Sequence, residues 1–342
     1  MNATRIGIDL AKNSFQLHGV GSNGKVALRK KLTRTKLLPF IANLPACEIG
    51  MEACGSAHYW AREFAKFGHS VKLIAPQFVK PYVKSNKNDS ADAEAICEAM
   101  SRPNMRFVPI KTQEQQASLS MHRVREGLVQ ERTAVANRIR GLLFEFGLVI
   151  PAGIRHLRFG LQDVIEANEH ALPNTFRLLV QRLLDHFAYL DQQLKELEQD
   201  IHREYRASEA CRRLGAIPGI GPITATALVA TIGDARSFQS GRQLAAWLGL
   251  VPRQHSTGGK PTLLGISKRG DGYLRRNLIH GARAVMRFAT DKDEPVPWLV
   301  HLLQRRHKNV VITALANKNV RVAWALLTHE CDYQIGYRGS AA

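Results

Sequence analysis

Short apolar runs separated by turn residues dominate the first third of the chain. Ile6–Leu10, Ser14–Val20 and Lys25–Leu32 predict three strands, with Phe15 and Leu17 alternating with polar neighbours in the second. The stretch Gly21-Ser22-Asn23-Gly24 is a hairpin signal. The pattern then predicts, in order, a helix, a strand, a helix, a strand and a helix, over Lys36–Asn43, Cys47–Met51, Ser56–Phe67, Ser70–Ile74 and from Asp89 or Ser90 onward.

Three strands followed by α-β-α-β-α is the element order of a ribonuclease-H-like (RuvC-like) α/β domain. Strands one and four are neighbours in that fold, so it would bring the end of Ile6–Leu10 close to the end of Cys47–Met51. Element order alone predicts a fold and carries no chemistry.

Four carboxylates lie where this fold would gather them. Asp9 ends the run Ile6-Gly7-Ile8, Glu52 follows Ile49-Gly50-Met51, and Asp89 and Asp92 are three residues apart on a helix. Carboxylates held close together repel one another unless a cation lies between them, and hard oxygen ligands favour Mg²⁺ or Mn²⁺.

Each acid, taken alone, has an alternative interpretation without a catalytic role. A single acid at a strand end is usually a cap or a surface residue, but four of them in the order of one metal-dependent fold favour a divalent-metal site acting on phosphodiesters. Glu94 stays open as an outer ligand, and Glu98 is expected to face solvent.

The middle of the chain is helical. Gln113–Leu148 interleaves basic residues that fit a solvated helix face as well as a nucleic-acid surface. A seam in steps of three and four then predicts a coiled-coil hairpin or dimerisation arm, or else an amphipathic helix packed on its own domain, through Val180, Leu183, Phe187, Leu190, Leu194, Leu197 and Ile201.

The last part of the chain predicts a mainly helical domain. Pro218-Gly219-Ile220-Gly221-Pro222 between two apolar stretches is typical of a helix-hairpin-helix motif, whose glycines and helix N-terminus can hold a phosphate, or of a plain helical turn. Gln254–Lys260 predicts a polar loop. Between Val251 and Ala325 there are 14 lysines and arginines against four acids, as a nucleic-acid footprint requires.

These patterns divide the chain into 1–110 with a helical extension 111–150, a linker 151–208, a third domain 209–335, and a flexible tail 336–342. The 342 residues are 45% hydrophobic, enough for two or three domains.

Charge and cysteine usage narrow the function classes. A net charge of +19 predicts polyanion binding. We expect nucleic acid rather than a membrane partner, since no apolar run approaches the roughly 20 residues needed to span a bilayer and the N-terminus lacks a signal-peptide core. The five cysteines are scattered without a C-x-x-C pair, and the 13 histidines lack metal-ligand spacing. We therefore expect a cytoplasmic protein without a zinc site or disulfide framework.

Several short motifs, in their joint order, resemble one protein family. They are Gly7-Ile-Asp9, Met51-Glu52-Ala, Asn88-Asp89-Ser-Ala-Asp92-Ala, Ile217-Pro-Gly-Ile-Gly-Pro222, Gly249-Leu-Val-Pro-Arg253, Ser256-Thr-Gly-Gly-Lys260 and Ile266-Ser-Lys-Arg-Gly270. The chain resembles, over nearly its whole length, the DEDD transposases of the insertion-sequence one-ten family, and its C-terminal half resembles the eleven-eleven subgroup.

The resemblance implies a RuvC-like domain supplying the acidic tetrad, a coiled-coil linker, and a transposase domain with a nucleophilic serine. It also implies recombination of double-stranded target and donor DNA, guided by a structured non-coding RNA (the bridge RNA), through a phosphoserine–DNA intermediate in a dimer or tetramer. Such a bacterial protein would associate with the nucleoid when active.

The resemblance also directs the choice of site residues. Ser256 is the candidate nucleophile beside Arg253, His255 and Lys260, although Thr257 is one register away and Ser267 is a further candidate. A serine in an arbitrary loop would otherwise be a turn residue. The candidate nucleic-acid contacts are Gly219, Gly221, Arg253, Lys260, Lys268, Arg269, Arg275 and Arg276.

Three rival functions share parts of this pattern. A RuvC-like nuclease would hydrolyse branched DNA with the same tetrad and no serine adduct. A sugar-kinase-like or actin-like phosphotransferase also begins with a Gly-Ile-Asp strand, but it would need a second glycine-rich loop and hydrolyse nucleotide. A non-catalytic RNA-binding scaffold would tolerate loss of all four acids.

Overall fold

The computed structural model describes residues 3–84, 89–167, 172–289 and 297–334. The chain divides into two compact units, Met1–Gln113 and Glu114–Ala342. The predicted domain boundaries, including the helical extension 111–150, stay predictions, and the predicted tail 336–342 lies outside the described residues.

The first unit has an α/β fold, with helices packed on a mixed parallel and antiparallel sheet. Its elements are β1 (Arg5–Leu10), β2 (Ser14–Val20), β3 (Val26–Thr33), α1 (Arg34–Ala42), β4 (Glu48–Glu52), α2 (Ala57–Lys66), β5 (Ser70–Ile74), α3 (Pro76–Val79), α4 (Asp89–Met100) and β6 (Phe107–Val108). The expected strands and helices are all present within one or two residues, whereas α3 and β6 were not predicted.

The sheet has the strand order β3-β2-β1-β4-β5-β6. β1 pairs with β2 antiparallel and with β4 parallel, and β4 pairs with β5 parallel. The expectation that strands one and four are neighbours is confirmed. The register places Gly7 opposite Gly50 and Ile8 opposite Met51, so the ends of β1 and β4 lie side by side.

The two faces of this sheet have different packing. Ile8, Leu17 and Met51 belong to a buried cluster that also contains Trp60 and Phe64 of α2. Successive strand residues face opposite sides, so Gly7 and Gly50 face the other side, where α4 packs. A Cβ on Gly7 would lie 2.3 Å from the carbonyl oxygen of Ala93, and one on Gly50 would lie 2.7 Å from the sulfur of Met100.

We predict that Gly7→Ala destabilises the first unit by about 1–3 kcal/mol, because the added methyl group overlaps the α4 backbone and the helix must move. Chemical denaturation of the purified chain measures the change. The matched control is Gly55→Ala in the same unit, since a Cβ there meets nothing within 4 Å. Equal stability of the two variants would contradict the close packing of α4.

The second unit is mainly helical and has one hairpin. Its elements are α5 (Gln113–Phe144), α6 (Ile154–Ala167), α7 (Asn174–Ala207), α8 (Glu209–Gly215), α9 (Pro222–Ile232), α10 (Gly241–Trp247), β7 (Pro252–Thr257), β8 (Lys260–Ile266), α11 (Gly272–Ala289), α12 (Pro297–Leu303) and α13 (Lys308–His329). Helices α8 to α13 contribute to one buried cluster.

The long helices α5 and α7 form an antiparallel pair. Arg125 forms an ion pair with Glu198 at 2.6 Å, and Arg132 forms one with Asp191 at 2.7 Å. A later residue of α5 therefore pairs with an earlier residue of α7. Val180, Phe187 and Leu190 of the seam pack in one cluster with residues of α5 and α6. The seam is buried against its own unit, as the amphipathic-helix and hairpin interpretations require. The role of this segment in dimerisation stays a prediction.

Helix α13 is, by length and composition alone, long and apolar enough to cross a membrane. This differs from the expectation that no apolar run approaches the length of a membrane span. Its residues Val311, Ile312, Ala316 and Val320 are buried in the cluster of the second unit, and one partly buried helix of this kind is typical of a core helix.

A buried histidine joins three helices of the second unit. His122 of α5 is 2% exposed, with Nε2 3.0 Å from the Thr226 hydroxyl of α9 and Nδ1 3.1 Å from the Tyr273 hydroxyl of α11. The Thr226 hydroxyl donates to the carbonyl oxygen of Pro222 at 2.8 Å. It must therefore accept from Nε2–H, and the Tyr273 hydroxyl donates to Nδ1.

We predict that acid weakens the second unit through His122. Burial, and then the nearby Arg125, lowers the pKa of His122 from 6.5 to about 4. The unfolded chain therefore takes up a proton below pH 6.5 that the folded chain does not accept until about pH 4. Stability is fully present above pH 6.5 and falls by about 3 kcal/mol as the pH drops toward 4.

The measurement is chemical denaturation at pH 7 and at pH 4.5, followed by a signal of the second unit. His122→Gln keeps a donor and an acceptor but does not titrate, so its stability should fall less over this interval. Parallel losses in the two proteins would refute the role of His122.

Candidate active site

Two of the four predicted carboxylates meet at the edge of the sheet in the first unit. Asp9 and Glu52 lie at the carboxyl ends of β1 and β4, one residue beyond the paired Ile8 and Met51. Strands in a sheet are about 4.8 Å apart. Since Asp9 is two residues beyond Gly7 and Glu52 two beyond Gly50, both side chains lie on the face that α4 covers. Both are half-buried.

Helix α4 brings the other two acids toward the same edge. A Cβ on Gly7 would contact both Ala93 and Cys97, and the Cys97 thiol donates to the carbonyl oxygen of Arg5 at 3.9 Å. Helix α4 therefore runs antiparallel to β1, so that its N-terminal end lies toward Asp9 at the end of β1. The helix begins at Asp89 and carries a half-buried Asp92 one residue before Ala93. The side chain of Asp89 lies outside the described residues.

The electrostatics of Cys54 agree with this placement. Desolvation, followed by the negative charges of Glu52 and then Asp9, raises the pKa of the Cys54 thiol. Both carboxylates therefore act on one sulfur atom just beyond β4. Among the described side chains, no three His, Cys, Asp or Glu residues lie close enough to hold a metal ion.

The other acids of α4 have basic partners. Glu94 accepts from the Lys84 ammonium at 3.0 Å and lies 4.0 Å from the Arg29 guanidinium, and the hydrogen bond from Lys84 is the main cause of its lowered pKa. Glu98 pairs with Arg102 one turn later. The outer-ligand interpretation of Glu94 therefore competes with two cations already beside it.

The glycines beneath α4 were missed as part of this site. Gly7 and Gly50 lie inside strands, where glycine often marks a close approach of another backbone. That signal was present in the sequence. It indicates that the helix carrying Asp89 and Asp92 lies closer to the sheet than larger residues would allow.

In the second unit, Ser256 is on a β-hairpin, not in the flexible loop that was expected. β7 and β8 pair antiparallel, with Ser256 opposite Pro261 and Thr257 opposite Lys260. Gly258 and Gly259 both have positive φ, 55° and 77°, as the two central residues of a type I′ turn require. β7 has no large apolar residue and both strands are exposed, so the sequence lacked the apolar alternation that indicates a half-buried strand.

The hairpin separates the candidate nucleophiles. Ser256 and Gln254 share one face, and the Gln254 amide donates to the Ser256 hydroxyl oxygen at 2.8 Å. Thr257 and His255 lie on the opposite face. Both strands are exposed, whereas the hydroxyl oxygen of Ser267 is shielded from solvent.

The predicted basic contacts divide into exposed and engaged side chains. Arg253, Lys260, Lys268 and Arg269 are exposed on or next to the hairpin. In contrast, Arg275 donates to the carbonyl oxygens of Leu248 and Arg269 at 3.2 and 3.0 Å. Arg276 pairs with Glu126 at 2.5 Å.

The glycine turn before α9 is packed against other helices. Gly219 has φ +91°, and a Cβ there would lie 2.8 Å from the carbonyl oxygen of Gly281 in α11. Asn319 of α13 donates to the carbonyl oxygen of Pro218 at 2.8 Å. Gly219 therefore has a packing role, whereas Gly221 is exposed at the start of α9.

Two family models match this chain. The Transposase IS116/IS110/IS902 family model matches residues 211–295, and the IS110-type DEDD transposase model matches residues 6–147. The matched regions contain the hairpin of Ser256 and all four acids.

Similar proteins cover almost the whole chain. A probable family 20 transposase of Pseudomonas aeruginosa is 55% identical over 98% of this chain and 100% of its own. The transposase for insertion sequence element IS1328 of Yersinia enterocolitica is 48% identical over 96% and 97%. The transposase for IS1111A of Coxiella burnetii is 43% identical over 97% and 91%.

Proposed function

The chain belongs to the IS116/IS110/IS902 family of transposases, and from this we propose that it recombines insertion-sequence DNA with the acids of the first unit and a serine of the second. Transposase activity makes it a DNA-processing enzyme of an insertion sequence. The similarity to the IS1111A transposase supports the eleven-eleven subgroup. One observation carries the proposed mechanism: Asp9 and Glu52 end neighbouring parallel strands on the face covered by α4.

The first unit is proposed to be a RuvC-like domain. Its antiparallel β3-β2-β1 ribbon followed by the parallel β1-β4-β5 arrangement supports that assignment. In such a domain the residues at the carboxyl ends of β1 and β4 are positioned for chemistry at a shared edge.

The donor chemistry of this edge fits Mg²⁺ or Mn²⁺. Asp9, Glu52 and Asp92 offer carboxylate oxygens, which these cations prefer, and Asp89 starts the same helix as Asp92. We propose that these four residues hold the metal. When bound, such an ion supplies charge stabilisation at a phosphate.

Ser256 is proposed as the nucleophile. Its oxygen would form a bond to the scissile phosphorus as the bond from phosphorus to a deoxyribose oxygen breaks. The serine proton passes to a base, and the leaving deoxyribose oxygen takes up a proton and becomes a hydroxyl group. Because the bond between serine and DNA is a phosphodiester like the one that breaks, the strand can be rejoined without a nucleoside triphosphate. The Gln254 amide donates to the Ser256 oxygen and so orients the hydroxyl, leaving its proton free to depart. An amide cannot be that base.

The alternative is a RuvC-like nuclease that hydrolyses DNA without a covalent intermediate. Both reactions would use the acids of the first unit, but only recombination requires Ser256. Detection of an adduct between the protein and DNA therefore distinguishes them.

The proposed partners are double-stranded donor and target DNA, a structured guide RNA from the element, and further copies of the chain as a dimer or tetramer, acting in the cytoplasm at the nucleoid. Exposed Arg253, Lys260, Lys268 and Arg269 support nucleic-acid contact near the hairpin. Guidance by RNA would assign sequence recognition to base pairing.

One experiment tests RNA guidance directly. The chain is expressed with its flanking non-coding DNA and purified, and the bound RNA is sequenced. We expect one structured RNA from the flank, and recombination of supplied donor and target duplexes that changes when its pairing segments change. Recombination that proceeds equally without RNA would overturn guidance while leaving the serine mechanism intact.

A further inference from the structure

Helix α11 has one apolar face and one basic face. Leu274, Leu278, Ala282 and Met286 recur every four residues and are buried in the cluster of the second unit. On the other side, Arg276, His280, Arg283 and Arg287 follow steps of four, three and four and are all exposed. We name these four residues the α11 basic stripe. Only Arg276 was singled out from the sequence.

Among the residues that the structure describes, Arg276 is the member of the α11 basic stripe that has an acidic partner. Helix α11 contains no acidic residue, and Glu126 on α5 pairs with Arg276 alone. Within the described part of the chain, no ion pair or side-chain hydrogen bond is formed by His280, Arg283 or Arg287. Like charges four residues apart on a helix destabilise it, so Arg283 and Arg287 oppose each other until an anion lies between or beside them.

The geometry of the stripe matches a repeating anion. At 1.5 Å per residue, Arg276 and Arg287 are about 16 Å apart along the helix. One DNA strand advances about 3.4 Å per phosphate along the duplex axis, so the stripe spans roughly four to five phosphates. Isolated small anions would not require a row of this length.

A second anion-binding feature lies beside the stripe. The close approach of Gly219 to Gly281 places the turn before α9 against the flank of α11, next to His280. Gly221, two residues later, is exposed at the N-terminus of this eleven-residue helix. Backbone amides at a helix N-terminus favour phosphate.

We infer that the α11 basic stripe binds the phosphate backbone of duplex DNA without reading its sequence. Duplex DNA is favoured over RNA because the family assignment itself implies a DNA substrate. The inference therefore rests on the proposed substrate, but it involves neither the carboxylates nor Ser256. Arg283 and Arg287 would position the duplex as charges, a role that needs no base contact.

The test measures DNA binding by the full chain in EDTA, where no metal-dependent step contributes. The probe is a fluorescent duplex of about 30 base pairs and random sequence, titrated from about 50 to 200 mM salt. Arg283→Gln combined with Arg287→Gln should weaken binding and make the slope of log K against log salt shallower by about 1.8, since each lost phosphate contact contributes about 0.9.

Two further variants make the result specific. Arg283→Lys with Arg287→Lys keeps both point charges and should retain the slope. Arg182→Gln with Arg206→Gln removes the same net charge from exposed sites far apart on α7 and should change the slope by much less. Thermal unfolding of each variant checks that the fold is kept.

Three outcomes would overturn the inference. The first is an unchanged slope in the double glutamine variant. The second is an equal change in the α7 control, which would indicate net charge alone. The third is a change seen only with a structured RNA probe and not with the duplex. If the double glutamine variant loses duplex binding but still forms the serine adduct with nicked DNA, the DNA-binding role of the stripe is supported and the proposed serine chemistry is unaffected.

Discussion

Replacing Asp9 by asparagine is expected to abolish Mg²⁺-dependent recombination while DNA binding survives. Asp9 lies at the end of β1 beside Glu52 of β4, on the face covered by α4. The amide has the same shape but no charge, so a divalent cation loses a ligand and part of its electrostatic stabilisation. Because such an ion is worth several kcal/mol at the transition state, the rate should fall by about 10²- to 10³-fold or more.

The measurement is strand exchange between supplied duplexes at saturating Mg²⁺, with DNA binding measured separately in EDTA. Glu98→Gln is the matched control, since it removes one charge from the same α4 region but from a residue paired with Arg102. Full recombination by the Asp9 variant would refute the metal-site interpretation. Equal loss in both variants would point to a general charge effect.

Ser256→Ala is expected to eliminate the covalent protein–DNA adduct and recombination, with binding of DNA and RNA unchanged. Alanine keeps the strand but has no oxygen to form a bond to phosphorus, so no residual adduct should remain. The hairpin is exposed on both strands, and the substitution should therefore cost little stability. Denaturing gels of reactions with labelled DNA measure the adduct.

The opposite orientation of Thr257 provides the control. Thr257→Val removes the neighbouring hydroxyl on the other face of the hairpin, and its adduct should persist. An adduct retained in the Ser256 variant but lost in the Thr257 variant would transfer the role to Thr257. A Gln254→Ala variant should slow adduct formation with less effect on binding, since it removes only the donor that orients Ser256.

Much of the first unit could be predicted from local sequence. Alternating or continuous apolar runs determine where β1, β2, β4 and β5 form, and the element order correctly predicted that β1 and β4 would be neighbours. The acids at their ends were identifiable as a set, because the four follow the element order of one metal-dependent fold, whereas a single acid at a strand end is usually a cap or a surface residue. Whether Asp89, Asp92, Asp9 and Glu52 together hold a metal stays a proposal.

Prediction was weaker where the deciding contact was distant in sequence. The seam of α7 has a periodicity that suits a partner chain as well as its own unit, and only the tertiary structure shows that Val180, Phe187 and Leu190 pack with α5 and α6. The hairpin of Ser256 was missed because its strands are exposed on both faces, which removes the pattern that burial imposes.

The amino-acid sequence by itself determined the strands, the helices and the positions of the acids along them, because hydrophobic periodicity and turn residues act locally. Tertiary structure alone decided which surfaces are covered: α4 lies close on Gly7 and Gly50, α7 buries its seam against α5, and α11 leaves Arg283 and Arg287 exposed. Those outcomes depend on which elements pack together, and packing sums many weak contacts between residues far apart in the chain.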